Sequence, residues 1–286
     1  MPRAGKLRIA PFLLFLAILA AAATASTASS GTSSNAHKAE AKASSAAPPG
    51  YRIASSISMP SAPGAPTTRI EVLEDQRLTP EIRQEWQGAD AAMSCAEPPE
   101  DPGVAQLCSS ITAQPLRGAQ VRLISDQGGV LDHRSFEREL ADISQVSLYG
   151  ADRLVFAVTV DYSIGFGSYA GPTTVFVEPG GGRFQWLAAF EPNSDTPMEV
   201  TLGSAFKSGW RTVPRAGAPG LDILAVRCHP EMGEEPSRGL GGRALPFVVI
   251  YERYTFDGTR WLRTERREPG FWEAEQGFPA QEKFPP

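Results

Sequence analysis

From Arg153 to Tyr162 the sequence alternates (RLVFAVTVDY), with Leu154, Phe156, Val158, Val160 and Tyr162 on one side and Arg153, Val155, Ala157, Thr159 and Asp161 on the other. A period of two does not fit a helix. The pattern predicts a strand with one strongly apolar face and commits the chain to building a sheet. Thr173 to Glu178 predicts a second strand. The turn Pro179-Gly180-Gly181-Gly182 leads to a third, with Phe184, Trp186, Ala188 and Phe190 on one face. Glycines in that turn supply the positive φ of a tight reversal.

The plan recurs about 70 residues further on. Leu221 to Cys228 reads as a strand opened by Gly217-Ala218, as Gly150-Ala151 opens the first. A Gly-rich acidic excursion (HPEMGEEPSRGLGGR) follows, then Leu245 to Phe256, the turn Asp257-Gly258, and Arg260 to Arg266. Two three-stranded antiparallel meanders are expected, in a sandwich or bent sheet, since a closed propeller needs more copies. The two turns share a glycine soon followed by arginine and an aromatic residue, Gly182-Arg183-Phe184 and Gly258-Thr259-Arg260-Trp261. Over Gly150 to Arg266 this order of strands, loop and turn resembles the blades of secreted FG-GAP-type repeat proteins. The resemblance implies an antiparallel β architecture. It carries over no calcium site, because the D-x-D-x-D-G loop of that family is missing and Asp257-Gly258 is an ordinary turn.

Two helices are expected ahead of the strands. Thr79 caps the first, Pro80 takes its first position, and Ile82, Trp86, Ala89 and Met93 fall on one stripe. The second starts near His133, with Asp132 as its cap and Phe136, Leu140 and Ile143 on one face. The expected fold class is therefore α+β: short N-terminal helices packed on a mainly antiparallel β-sheet or sandwich, in a single domain over residues 67–286.

At the start of the chain, Arg3, Lys6 and Arg8 precede an apolar run from Ile9 to Ala23 and a small-residue exit, Ala23-Thr24-Ala25. This predicts a secretory signal peptide over residues 1–25 and export to the periplasm or the medium. The run contains Pro11 and falls short of the roughly 20 residues that span a bilayer, so no membrane span is expected after cleavage. An uncleaved N-terminal anchor is the alternative. Residues 26–66, dominated by Ala, Ser, Thr, Gly and Pro, are expected to form a disordered tether.

Losing Arg3, Lys6 and Arg8 leaves 24 basic against 32 acidic side chains, net −8. That balance argues against nucleic acid as a partner and for a basic protein or envelope partner. In an oxidising compartment Cys95 and Cys108, which flank a Pro- and acid-rich stretch, are expected to close a disulfide loop. Two free thiols, or a bond from one of them to Cys228, are the alternatives.

No nucleophile elbow, zinc-protease helix, C-x-x-C or phosphate loop occurs. The three histidines and three cysteines offer no spaced ligand set, so no metal and no cofactor are expected. Ser, His and Asp do lie close together at Asp132, His133 and Ser135, but neighbours along a helix start seldom converge as a triad. Cys228 shares a face with Leu224 and Val226, as a buried thiol would. The expected contact surface is Phe166 and Tyr169 in a Gly-rich loop, with Glu231, Glu234 and Glu235 in the acidic excursion. The expected function is thus a non-catalytic binding module. The alternative is an envelope glycan or ester hydrolase using strand-end carboxylates among Asp161, Glu178, Glu191 and Asp195. The aromatic tail after Pro269 (Phe271, Trp272, Phe278, Phe284) is expected to fold back over the sheet, or else to serve as an extended ligand for a partner groove.

Overall fold

The computed structural model describes residues 46–59, 68–88, 102–150, 153–161, 171–230 and 246–286. All lie within one unit, Lys42–Pro286. The chain begins its first sheet with β1 (Tyr51–Ser58) and β2 (Arg69–Asp75). It then forms helices α1 (Pro80–Gly88) and α2 (Pro102–Ala113) before closing that sheet with β3 (Gln120–Ile124) and β4 (Val130–Ser135). The four strands run in sequence order, each antiparallel to the next.

The second sheet follows with β5 (Leu140–Val146), β6 (Val155–Asp161), β7 (Thr173–Gly180) and β8 (Arg183–Trp186), again antiparallel neighbours. At Leu187 the chain leaves that sheet for a third. β9 (Ala188–Phe190) and β10 (Pro197–Glu199) pair there, and the chain crosses back at Val200 so that β11 (Thr201–Gly203) joins the free part of β7. The Val200 amide donates to the Leu187 carbonyl at 2.9 Å, so both crossings occur at one level. The third sheet is completed by β12 (Ser208–Pro214), β13 (Leu221–Pro230), β14 (Phe247–Phe256) and β15 (Trp261–Pro269), in the order β10-β9-β15-β14-β13-β12. Its β9–β15 contact is parallel; the other pairs are antiparallel.

The sheets stack, and β6 explains why. Phe156, Val158 and Val160 pack toward Ile70, Val72, Val121 and Leu123 of the first sheet. Val155 and Ala157, on the opposite face, pack toward Ile223, Ala225, Tyr254 and Trp261 of the third. The second sheet is the middle layer and is buried on both faces. Phe156 and Phe176 are fully buried in it, each contributing about 1.5–3 kcal/mol of apolar transfer. The outer face of the third sheet is covered by the C-terminal tail: Trp272 and Phe284 join Leu224, Val226, Cys228 and Tyr251 in one core, with Phe278 packed against it. The tail thus folds back, as the first of its two sequence readings expects.

Several expectations change. The fold is mainly β, with antiparallel sheets, rather than α+β. The Thr79 hydroxyl does cap α1, accepting from the Ile82 amide at 3.4 Å. Of the expected stripe, Ile82 packs with Leu78, Leu107 and Leu140, while the side chain of Trp86 and residues Ala89 and Met93 lie outside the described residues. No helix starts at His133. That segment is β4, a bend and β5, so Leu140 and Ile143 matched a helical spacing that belongs to a strand after a turn. Tyr51–Ser58 is a strand, so the part of 26–66 from 51 to 58 belongs to the first sheet, not to a tether, and the domain does not begin at 67. Residues 1–45 lie outside the described residues.

Strand β2 carries three buried acids. Glu74, fully buried, is held by Arg52 at 2.7 Å and Arg83 at 2.8 Å. Glu71 pairs with buried Arg122 at 2.8 Å. Asp75, also fully buried, accepts from the Arg77 side chain at 2.9 Å and from the Arg117 amide at 2.9 Å. Burial alone would raise the Asp75 pKa. The Arg77 and Arg117 bonds outweigh it and hold the carboxyl down at about 2.

Candidate functional site

Between the second and third sheets lies a cleft of about 340 Å3 that runs from mid-strand, at Glu252, Tyr254 and Arg263, to Gly203, Ser208 and Arg227, toward the end where β13 finishes and β14 begins. Its apolar floor comes from Leu202 and Ala225, its rim from Met198 and Glu199, and its polar wall from Arg227, Glu252, Tyr254 and Arg263. Two long connections leave the sheets at this same end, residues 162–170 between β6 and β7 and residues 231–245 between β13 and β14. The β11–β12 turn joins their roots: the Ser204 amide donates to Pro172 O at 2.7 Å and the Cys228 amide to Lys207 O at 2.9 Å.

The polar wall is a closed network. Glu252 is 5% exposed. Its Oε1 accepts from Arg263 Nη2 at 2.6 Å and lies 3.0 Å from Arg227 Nη2, and its Oε2 accepts from the Tyr254 hydroxyl at 3.3 Å. Arg263 also reaches Glu191 at 2.5 Å and Glu265 at 2.7 Å. Burial would lower the Arg263 pKa, but the Glu252 bond and charge outweigh it and the net direction is up. Burial, and then the neighbouring Glu252 charge, push the Tyr254 phenol well above its ordinary range, so it stays a donor. A carboxylate with a donor on each oxygen is a positioned acceptor rather than a proton shuttle. Across the cleft Arg134 grips Glu199 through two bonds at 2.8 and 2.9 Å and stacks 4.3 Å above Trp186. Fixed charge beside an apolar floor suits recognition.

At the end of the sheets where those connections leave, outside the cleft lining, Phe206 in the β11–β12 turn and Phe271 after β15 are 41% and 45% exposed. Phe271 meets Phe247 edge-on at 5.1 Å, and Lys207 Nζ sits 4.6 Å from the Phe247 ring and 5.0 Å from that of Phe271. Large aromatic side chains held in solvent are typical of contact surfaces.

The expected contact residues Phe166, Tyr169, Glu231, Glu234 and Glu235 lie outside the described residues, but the anchors of both their loops are at this end. The candidate acids are distributed differently. Glu178 is paired with Arg153, Glu191 with Arg263, and Asp195 is exposed in the β9–β10 turn; the Asp161 side chain lies outside the described residues. Asp132 Oδ2 accepts the Phe184 amide at 2.8 Å, tying β4 to β8, and its Oδ1 accepts the His133 backbone amide at 2.8 Å rather than a ring nitrogen. Cys228 is a free, buried thiol. Cys108, on α2, is disulfide-bonded; Cys95 lies outside the described residues. Among the described residues no group of three His, Cys, Asp or Glu is placed to hold a metal ion, and no helix is long and apolar enough to cross a membrane.

The Glu252–Arg263 centre has no place among the sequence expectations. Its signal is a pair of charges, Glu252 and Arg253, inside an otherwise apolar and aromatic strand (FVVIYERYTF), where a solvated face would not be expected. No protein-family model, curated protein or solved structure matches the chain.

Proposed function

We propose that the chain is an exported, non-catalytic binding module that contacts its partner with the end of the sheets toward which the Glu252–Arg263 cleft runs. The observation that carries this reading is that one end of the sheets holds the solvent-facing Phe206 and Phe271, the roots of the 162–170 and 231–245 connections, and the Arg227 edge of the cleft. The partner is a basic protein or basic envelope component, attracted by an exported chain of net charge −8 and by Glu231, Glu234 and Glu235 in the longer connection. The hydrolase reading gains less support, because Glu178 and Glu191 are each engaged by an arginine. The FG-GAP likeness is retained as a proposal about the two meanders, β6-β7-β8 and β13-β14-β15. We further propose that Cys95 is the disulfide partner of Cys108.

The test is capture from envelope and secreted extracts on the immobilised exported chain, alongside the variant Glu231→Gln/Glu234→Gln/Glu235→Gln. One basic component retained at near-stoichiometric yield, and lost or weakened with the variant, is the expected result. Nothing retained, together with glycan or ester turnover that Glu191→Gln abolishes, would replace the binding reading with the hydrolase.

A further inference from the structure

Next to the first cleft across β9 and β10, toward the β7–β8 and β14–β15 turns, lies a second cleft of about 310 Å3. Its walls are unusually aromatic. Tyr149 meets Phe256 edge-on at 4.8 Å and accepts from Trp261 Nε1 at 2.8 Å, while Trp186 and Phe190 add to the lining from β8 and β9. Tyr149 is held rigidly: the Arg153 guanidinium lies 3.8 Å over its ring and is itself paired with Glu178. The rest of the rim is polar, from Gln185, Thr259 and Arg260.

Arg260 is the informative residue. Its backbone amide is fixed to Asp257 Oδ1 at 2.9 Å and its guanidinium lies 4.8 Å over the Phe190 ring. Among the described residues no carboxylate forms an ion pair with its side chain, although Arg52, Arg83 and Arg122 beside the β2 acids and Arg215, Arg227 and Arg263 each have one; the Asp257 carboxylate that holds its amide is a neighbouring charge without a salt bridge to the guanidinium. Of the charged residues lining the cleft, Arg153 and Glu178 pair with each other, which leaves the Arg260 guanidinium open to a ligand. An anionic group seated at Arg260 would gain a charge-assisted, planar pair of hydrogen bonds.

We propose that this cleft binds an acidic saccharide, one or two rings bearing a carboxylate, with the carboxylate on Arg260. The choice of a sugar over an aromatic acid follows from the rim. A flat hydrocarbon ring would cover Gln185 and Thr259 without offering them partners, and unmatched polar groups oppose binding, whereas Glu178 already has Arg153. Sugar hydroxyls both donate and accept, so they satisfy that amide and hydroxyl while the ring's C–H face packs on the aromatic wall. The volume, at the small end of ligand clefts, limits the occupant to one or two rings. This site is separate from the contact end proposed above and stands or falls without it.

The experiment titrates the full exported chain with a uronic acid and its disaccharide, reading the fluorescence of the cleft tryptophans. A neutral oligosaccharide of equal length and benzoate serve as comparison ligands. A saturable change with the uronate at concentrations below roughly 10 mM is expected, at least about tenfold weaker for the neutral sugar and for Arg260→Ala. Arg260→Lys should recover part of the loss. Arg260 is in an exposed turn, so an unchanged melting temperature in Arg260→Ala separates lost binding from lost folding. No saturation, equal binding of the neutral sugar, benzoate binding in place of the uronate, or an Arg260→Ala variant of native affinity would each overturn the proposal.

Discussion

Removing the tryptophan that pins the C-terminal tail should both destabilise the protein and expose a thiol. Trp272 is 6% exposed, donates Nε1–H to Gly277 O at 3.0 Å, and its backbone amide points at the Cys228 sulfur, 3.5 Å away. Phe278 and Phe284 stack at 5.5 Å beside it, and Phe284 meets Tyr251 edge-on at 5.4 Å. Truncating a buried tryptophan to alanine costs about 3–5 kcal/mol where the surroundings cannot collapse. The tail is terminal, however, and can peel from β13 and β14 without opening the stacked sheets, so the loss saturates at the free energy holding the whole tail. We expect Trp272→Ala to lose about 3 kcal/mol in urea unfolding, and Phe284→Ala added to it to cost less than it does alone. Cys228 is buried beneath the tail and is a free thiol, so a thiol reagent reports peeling directly. A 3 kcal/mol loss in local closing raises the labelling rate by roughly 100-fold under native conditions. A stability loss under about 1 kcal/mol with unchanged Cys228 labelling would refute the packing argument and favour the tail as a ligand held out for a partner.

Three further outcomes follow from the ion pairs and the disulfide. Asp75 has a folded pKa of about 2 against an ordinary 3.8, so the unfolded chain binds the proton first. Its stabilisation is full above the unfolded value and is lost as pH falls toward 2, by about 2 kcal/mol; melting curves over that range should show a loss that Asp75→Asn lacks, and parallel curves would contradict it. Arg263→Ala leaves the buried Glu252 charge with only the half-exposed Arg227 and the Tyr254 hydroxyl and should cost about 3 kcal/mol in denaturant titration, whereas Arg263→Met with Glu252→Gln should recover much of it; equal losses would show that the buried charge does not depend on Arg263. Cys108→Ser should lose about 3 kcal/mol in oxidised protein and little under reductant. Peptide mapping should find Cys108 joined to Cys95, and a different partner would refute that pairing.

Strands β6, β7, β13 and β14 were legible because their apolar, β-branched runs are bounded by glycine turns and charged ends, as strands buried on one or both faces require. Strict alternation concealed the crossing at Leu187. Phe184, Trp186, Ala188 and Phe190 keep one parity in sequence, yet the backbone changes sheets between them, so Phe184, Leu187 and Ala189 are the buried positions. Tyr51–Ser58 is small and polar (YRIASSIS), and its strand state rests on hydrogen bonds from β2 that no local pattern reveals. Helix α2 was hidden by Pro and acidic flanks, although Leu107 and Ile111 carry a helical spacing. The contact end was legible as loops. The charged centre of the cleft was not, because bringing Arg263 to Glu252 requires the β14–β15 register, in which Tyr254 faces Arg263.

The most direct test of the proposed contact end compares the two ends of the sheets in one assay. The full exported chain, Phe206→Ser/Phe271→Ser at the loop end, and Arg260→Ala at the opposite end are each immobilised, and the amount of captured partner is quantified at fixed salt. Native-level capture by Arg260→Ala and at least tenfold weaker capture by the double phenylalanine variant is the expected result. Native-level capture by the phenylalanine variant, or its loss in Arg260→Ala, would place the contact surface elsewhere.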